Sequence, residues 1–503
     1  MNYSNRYAIN LTNLRLKFPG EDSLIFKDLS FSVQPGEKVL MLGPSGCGKS
    51  TLLQVLSGIV PNSIELPMKA DEINLPDSWG FVFQDPDTQF CMSYVDEELA
   101  FVLENLNIPR SDMAPLIEEA LKRVDLHLEN LHTPILELSQ GMKQRLALAS
   151  VLLLEPVVLF LDEPSALLDP EGTKQIWSSI KQATADKTVI IVEHKIDLIA
   201  DWVDRVVLFN DHGMILADDS PSTIFKHYQE ELKRYGIWYP SVWDEYKESE
   251  SFKSMMHERE QVSSFEKILL NDFHGFRGTA PKIFAKKAVA KTGDWIAITG
   301  ENGSGKSTLL LTLMQLLRTE GIYKVNGERV IQKKRKKQLP KGLSLVFQNP
   351  ELQFVTNSIA EELTVSLHKM SKPQAVNYAA DLMQLFNLPN SGTRHPYQLS
   401  TGQKRRLSVA TALTPQTDIL LLDEPTFGQD ARNTFAILEK LEQLRVQGIT
   451  ILMVTHDMEI VKNFATSVWT VADGVLYTNN EMVGGVFECL HGSHLDEKHG
   501  YSK

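Results

Sequence analysis

The 503-residue chain carries one series of motifs twice, in one order, and this duplication constrains its fold more than any other feature. GPSGCGKST at 43–51 returns as GENGSGKST at 300–308, and VFQDPDTQF at 82–90 as VFQNPELQF at 346–354. LSQGMKQRL at 138–146 returns as LSTGQKRRL at 399–407, FLDEPSALLD at 160–169 as LLDEPTFGQD at 421–430, and VEH at 192–194 as VTH at 454–456. The offsets are 257, 264, 261, 261 and 262, a spacing so nearly constant that tandem domains follow. The predicted domains are 1–236 and 265–503. Between them, 237–264 mixes charge, Ser and aromatics without helical or strand period and reads as a linker, its aromatics packing back on a domain. Lys49 to Gln84 spans 35 positions and Lys306 to Gln348 spans 42, so the first copy is seven residues shorter there.

Periodicity places the motifs. KVLML at 38–42 and WIAIT at 295–299 are short apolar runs of strand type ending at Gly, followed by helically spaced apolar residues. VVLFL at 157–161, TVIIV at 188–192 and the runs at 419–422 and 450–454 are continuously apolar, as parallel strands buried on both faces are. The expected fold is α/β, built twice: a P-loop NTPase domain with a mostly parallel sheet between helices, a small antiparallel lobe and a helical part.

Composition removes whole classes of function. With 43% hydrophobic and 23% charged residues, the chain is of ordinary globular type. A net charge of −13 disfavours a bulk nucleic-acid binder, although a local basic face is compatible with it. Three scattered cysteines, Cys47, Cys91 and Cys489, supply neither a disulfide framework nor a zinc knuckle, which suits a reducing compartment. Residues 1–14 carry no positive segment followed by an apolar core, and no run of about 18 apolar residues occurs. Any membrane role is therefore expected to run through a partner.

The chemistry follows from residue types at fixed spacing. In G-x-x-x-x-G-K-[ST] the backbone turns successive N–H groups toward phosphate oxygens, and the following helix adds its positive end. The predicted cradles are Gly43, Ser45, Gly46, Cys47, Gly48, Lys49, Ser50 and Thr51, and Gly300, Asn302, Gly303, Ser304, Gly305, Lys306, Ser307 and Thr308. Lys49 and Lys306 would reach the β- and γ-phosphates of ATP, and the hydroxyls of Ser50 and Ser307 would ligate Mg²⁺. Asp162 and Asp423, ending apolar strands, would complete the metal site. Glu163 and Glu424, one residue on, are placed to polarise an attacking water. His194 and His456 follow the next strand, where an imidazole can sense the γ-phosphate.

With these residues in place, the whole chain resembles a tandem pair of ABC-type ATPase domains: Walker A, Q-loop, signature, Walker B, D-loop and switch His occur in family order in both copies. The resemblance implies head-to-tail pairing, in which the P-loop of one domain and the signature of the other enclose each nucleotide. Ser400 and Gly402 would complete the first site, and Ser139 and Gly141 the second. It also implies that Gln84 and Gln348 are the Q-loop residues linking Mg²⁺ to a partner surface. Phe18 would stack on adenine in the first site and Phe276 in the second, with Phe273 as the alternative. The first signature departs from the pattern at Gln140 and Met142, so its composite site is expected to be altered; both sites retain the catalytic Glu.

Among family branches, repair enzymes and the ribosome-recycling relative need cysteine clusters or a coiled coil, and ABC-F translation factors a long basic arm. This chain has none of these in its sequence pattern. Sugar-importer tandems are similar in length. F-Q-[DN]-P-x-x-Q-F followed by acidic residues, with VEHKID at 192–197 and TFGQD at 426–430, resembles energy-coupling factor ATPases, most closely the fused form of thiamine-precursor uptake. That resemblance implies peripheral attachment at the cytoplasmic face of the cell membrane, with a transmembrane scaffold subunit and a substrate-binding membrane subunit as partners. Asp96, Glu97 and Glu98, and Glu361 and Glu362, would line docking grooves for Arg-bearing helices of the scaffold. The basic run at 333–337 reads as a solvated loop. No residue pattern names the transported compound.

Overall fold

The computed structural model describes residues 7–19, 23–44, 46–166, 168–257, 265–331, 339–367, 370–389 and 392–478. The chain forms two compact units that change over between Glu245 and Tyr246, except that Asp430–Arg432 belong to the first.

In the first unit a six-stranded sheet runs Ile215–Asp219, Arg205–Phe209, Lys38–Leu42, Thr188–Val192, Val158–Asp162, Trp79–Val82, parallel throughout except at its first pair. Lys38–Leu42 sits inside this order, and the residues of Thr188–Val192 are all buried, the reason both strands read as unbroken apolar runs. A second, antiparallel sheet pairs Ile9–Leu16 with Phe26–Val33 and with the short strands Met68–Lys69 and Glu72–Asn74. Helices Val95–Asn105, Arg110–Arg123 and Gln140–Leu152 make the helical part. Ile9, Phe26, Val39, Leu52, Phe160 and Ile190 belong to one core that joins the two sheets to the helix after the first phosphate loop.

The second unit repeats the plan with its two sheets fused. Ten strands run in one order, and the fusion is a two-residue parallel contact, Phe284 with Val475 and Ala285 with Leu476. Trp295–Thr299 lies between Thr450–Val454 and Ser467–Ala472, as Lys38–Leu42 does between its neighbours. The α/β, twice-built P-loop fold is thus the observed one.

The expected linker is not free of structure. Helices Val242–Glu248 and Glu250–His257 occupy most of its described part, and 258–264 lie outside the described residues. Tyr246 stacks on Phe435 with centroids 3.9 Å apart, and Phe252 meets Phe464 edge-on at 6.0 Å, both within the second unit. Tyr246 Oη and Ser251 Oγ donate to Glu439. Packing supplies the helix stability that local pattern lacks, so 246–257 fold as part of the second unit. Among the described residues no helix is long and apolar enough to cross a membrane.

Candidate active sites

Each phosphate loop leaves its strand and enters a helix, Lys49–Leu56 or Lys306–Leu313, with a left-handed Gly at the N-cap and no side-chain cap bond. The first helical N–H groups therefore stay available for an anion. Gly48 (φ 101°) packs where a Cβ would meet the Phe26 ring at 2.8 Å, and Gly305 (φ 116°) where it would meet Ile283 at 2.7 Å. Only Gly fits both the angle and the space. Lys49 Nζ donates to the carbonyls of Gly43 and Pro44 at 2.8 and 3.0 Å, and Lys306 Nζ to those of Gly300 and Glu301 at 2.9 and 2.8 Å. Cys47 is buried, which pushes its thiol up, partly opposed by Lys49. Ser45 lies outside the described residues. Thr51 and Thr308 fall in the first turn of their helices, and Asn302 and Thr308 border the cavity described below.

Ser50 Oγ donates to Asp162 Oδ1 at 2.8 Å, and Ser307 bonds Asp423 in the same way. Burial pushes Asp162 up to about 6, with the Ser50 hydroxyl and the Lys49 charge opposing it; burial likewise raises Asp423. A buried carboxylate and a hydroxyl meeting in hydrogen-bond range form a hard-oxygen pair that suits Mg²⁺, an ion that takes few protein ligands and keeps phosphate or water oxygens. Ser304 Oγ is buried without a hydrogen-bond partner among the described residues, as a group awaiting an anion would be. The residues present therefore fit ATP with Mg²⁺.

Glu163 is gripped at both oxygens: Gln84 Nε2 donates to Oε2 at 2.9 Å and His194 Nε2 lies 3.0 Å from Oε1. Gln348 Nε2 donates to Glu424 Oε2 at 3.2 Å, with His456 Nε2 3.2 Å from Oε1. The Q-loop amides thus sit on the carboxylates of Glu163 and Glu424 themselves. Burial raises the Glu163 carboxyl, but the bond from His194 and the charges of His194 and Lys49 outweigh it and leave it below the usual range. Burial lowers His194, and Glu163 with Glu193 more than restores it, so the imidazole titrates above its ordinary value.

Two features escaped sequence reasoning. Both glutamates have left-handed backbones, φ 49° at Glu163 and 48° at Glu424, with N–H bonds to Val192 O and Val454 O. Such strain in a non-Gly residue collects at functional sites. The other is Glu193, buried between Ser165 Oγ (2.7 Å) and the N–H of His194 (2.8 Å) and raised by burial; Thr455 holds its place in the second unit. The VEH/VTH difference was the available signal.

Ser139 and Ser400 are helix N-caps, accepting from the N–H of Met142 and Gln403 at 3.3 Å. Gln403 also accepts from the Ser400 N–H at 3.1 Å, closing a capping box that Met142 cannot form. A Cβ on Gly402 would strike Asn433 at 2.5 Å, whereas one on Gly141 would meet nothing nearer than 3.9 Å.

Three expectations need correction. Glu98 and Glu362 do not line grooves. Glu98 Oε2 is buried and accepts from the N–H of Cys91 and Met92 at 2.8 Å; Glu362 Oε2 accepts from Val355 and Thr356 at 3.0 and 2.8 Å. Each closes the chain that follows the Q-loop back on the next helix. Asp96 faces His132 at 3.1 Å, and Glu97 and Glu361 are exposed. In the second unit apolar side chains of the segment after the Q-loop are exposed, Leu352 at 72% and Val355 at 74%, with Tyr397 against the same segment; Leu136 is exposed in the first unit. Phe273 is core, against Tyr323, and Phe276 has the Arg318 guanidinium 4.6 Å over its ring. Beside the second phosphate loop lies a cavity of about 810 Å³ whose wall includes Arg277, Pro281, Lys282, Glu301 and Asp473 but not Phe276. Phe18 is 37% exposed. The 333–337 run and Cys489 lie outside the described residues.

Phosphate loop, hydrogen-bonded Ser and Asp, and gripped Glu define a twice-built P-loop ATPase. Residues 26–166 and 288–427 each match the ABC transporter family, and the chain belongs to it. A Bacillus subtilis protein provisionally named an HMP/thiamine import ATP-binding protein, YkoD, is 36% identical over 92% of this chain and 90% of its own. A Methanosarcina acetivorans protein, provisionally named an ABC transporter ATP-binding protein, is 30% identical over 93% and 85%. An archaeal ribosome recycling factor, aABCE1, solved with the stalk protein aP1, covers 93% of this chain and 90% of its own with a TM-score of 0.62 at 19% identity, a likeness of fold.

Proposed function

We propose that this ATPase powers uptake of a micronutrient, a vitamin or vitamin precursor, through separate membrane subunits of the energy-coupling factor kind. The carrying observation is the surface beside the second Q-loop: apolar side chains stand exposed at Leu352 and Val355, four and seven residues after the Gln348 that donates to Glu424, with exposed Tyr397 packed against the same segment. Exposed apolar surface next to a reacting group calls for a protein partner. The name carried by the Bacillus subtilis relative supports thiamine precursors as the cargo class.

In this reading Ser50 with Asp162, and Ser307 with Asp423, would hold Mg²⁺, whose charge would offset that of the phosphates. Glu163 and Glu424 take a proton from the attacking water once the Q-loop amide is drawn off their Oε2, and His194 keeps the other oxygen of Glu163 oriented. A partner that shifts Gln84 or Gln348 thereby gates hydrolysis. Affinity-tagged chain expressed in a thiamine-auxotrophic bacterium should co-purify with integral membrane proteins and restore uptake of labelled thiamine or its pyrimidine precursor. Co-purification with ribosomes, without uptake, would overturn the reading.

A further inference from the structure

The hairpins that border the two phosphate loops share an equivalent pair next to their turns: Leu16 pairs with Phe26 and His274 with Phe284, with nine residues between the partners in each case. Phe18 thus corresponds to Phe276 and Pro19 to Arg277. In the second unit a β-bulge falls between Gly275 and Phe276, so that Phe276 faces Pro281 and Arg277 faces Ala280. A bulge re-aims the side chains beyond it. The ring of Phe276 is covered by the Arg318 guanidinium, itself ion-paired with Glu320, and takes no part in the cavity wall. Exposed Arg277 does, beside Gly303, Gly305 and Thr308.

We propose that Arg277, not Phe276, is the base-contacting residue of the second site, laying its planar guanidinium on the face of the adenine. A guanidinium plane is a stacking surface for nucleobases. Glu301 and Asp473 line the same wall and offset the charges of Arg277 and Lys282, so what the cavity gains is a flat donor group rather than net charge. Pro19 cannot do this in the first unit, where Phe18 keeps the aromatic role. The inference rests on the ATPase class and is independent of the importer reading.

The test is calorimetric binding of ATP and of inorganic tripolyphosphate, each with Mg²⁺, to chain in which Lys49→Ala silences the first site. Arg277→Ala should weaken ATP by roughly five- to tenfold, the size of one lost stacking contact, and leave tripolyphosphate unchanged. Arg277→Tyr should restore ATP binding and Arg277→Lys should not. Phe276→Ala, checked for folding by its melting curve, should alter neither ligand. In a Lys306→Ala chain Arg277→Ala should be silent. The proposal falls if Phe276→Ala is the change that weakens ATP, if Arg277→Ala weakens both ligands alike, or if it weakens neither.

Discussion

At Glu163 and Glu424 three independent devices converge: a left-handed backbone, a Q-loop amide on one oxygen and an imidazole against the other. Strain of this kind costs of order 1–3 kcal/mol and persists where a side chain must be aimed. Replacing both with Gln should cut steady-state ATP turnover by about 10²-fold or more, since an amide cannot take the proton, while ATP affinity, held by Lys49 and Lys306, survives in equilibrium binding. The buried carboxylates of Glu98 and Glu362 carry a different role. Alanine at either leaves two chain N–H groups without their acceptor and should lower stability by about 2–3 kcal/mol, read as a lower melting temperature. Glu97→Lys and Glu361→Lys should stay within about 0.5 kcal/mol of wild type. The sequence offered four near-identical glutamates; which of them turn inward depends on how the chain after the Q-loop folds back, which residue order alone does not reveal.

The signature helices Gln140–Leu152 and Thr401–Ala412 are clasped to the segment after the Q-loop by the same contacts twice. Lys143 Nζ reaches Asp87 at 2.7 Å, Gln144 Nε2 the Phe83 carbonyl and Gln89 Nε2 the Ala147 carbonyl. Lys404 reaches Glu351 at 2.6 Å, Arg405 the Phe347 carbonyl and Gln353 the Ser408 carbonyl. Asp has become Glu and Gln has become Arg, yet each bond is kept, so the clasp is a fixed property of the element. Asp87→Asn should cost about 1–3 kcal/mol because it leaves the buried Lys143 ammonium without its carboxylate, Lys143→Met should cost less because the Asp87 left behind is exposed to water, and a double-mutant cycle should return a coupling above about 0.5 kcal/mol. At the start of the helix Met142→Gln should close the capping box already present at Ser400 and add about 0.5–1 kcal/mol to the melting stability of the first unit. Phosphate loops and buried strands were legible because their glycines and apolar runs answer to local rules. The helices at 242–257 were not, because Tyr246 and Phe252 are ordered by Phe435 and Phe464, 189 and 212 residues further on.

For the whole molecule, duplication was plain in the motif offsets, and so was the chemistry each copy repeats; of the acidic residues expected to line docking grooves, Glu98 and Glu362 turn inward instead, while Glu97 and Glu361 stand exposed. The error has a physical source: Glu at the start of a helix is favoured by the helix end itself and by chain N–H groups, with no partner needed. What stands exposed beside the Q-loop is apolar, Leu352 and Val355 above all, with Glu361 nearby. Burying two such side chains against a partner helix is worth about 1.5–3 kcal/mol each, more than a solvent-exposed ion pair at the rim supplies. Leu352→Glu with Val355→Glu should therefore abolish co-purification with membrane proteins and uptake in cells, whereas Glu97→Lys with Glu361→Lys should weaken assembly by tenfold or less (about 1 kcal/mol). Because neither Leu352 nor Val355 is buried, the ATPase and melting temperature of the purified chain should be unchanged in both variants, which separates lost docking from lost folding. If the apolar pair is dispensable and the exposed glutamates are not, charge rather than burial holds the assembly together.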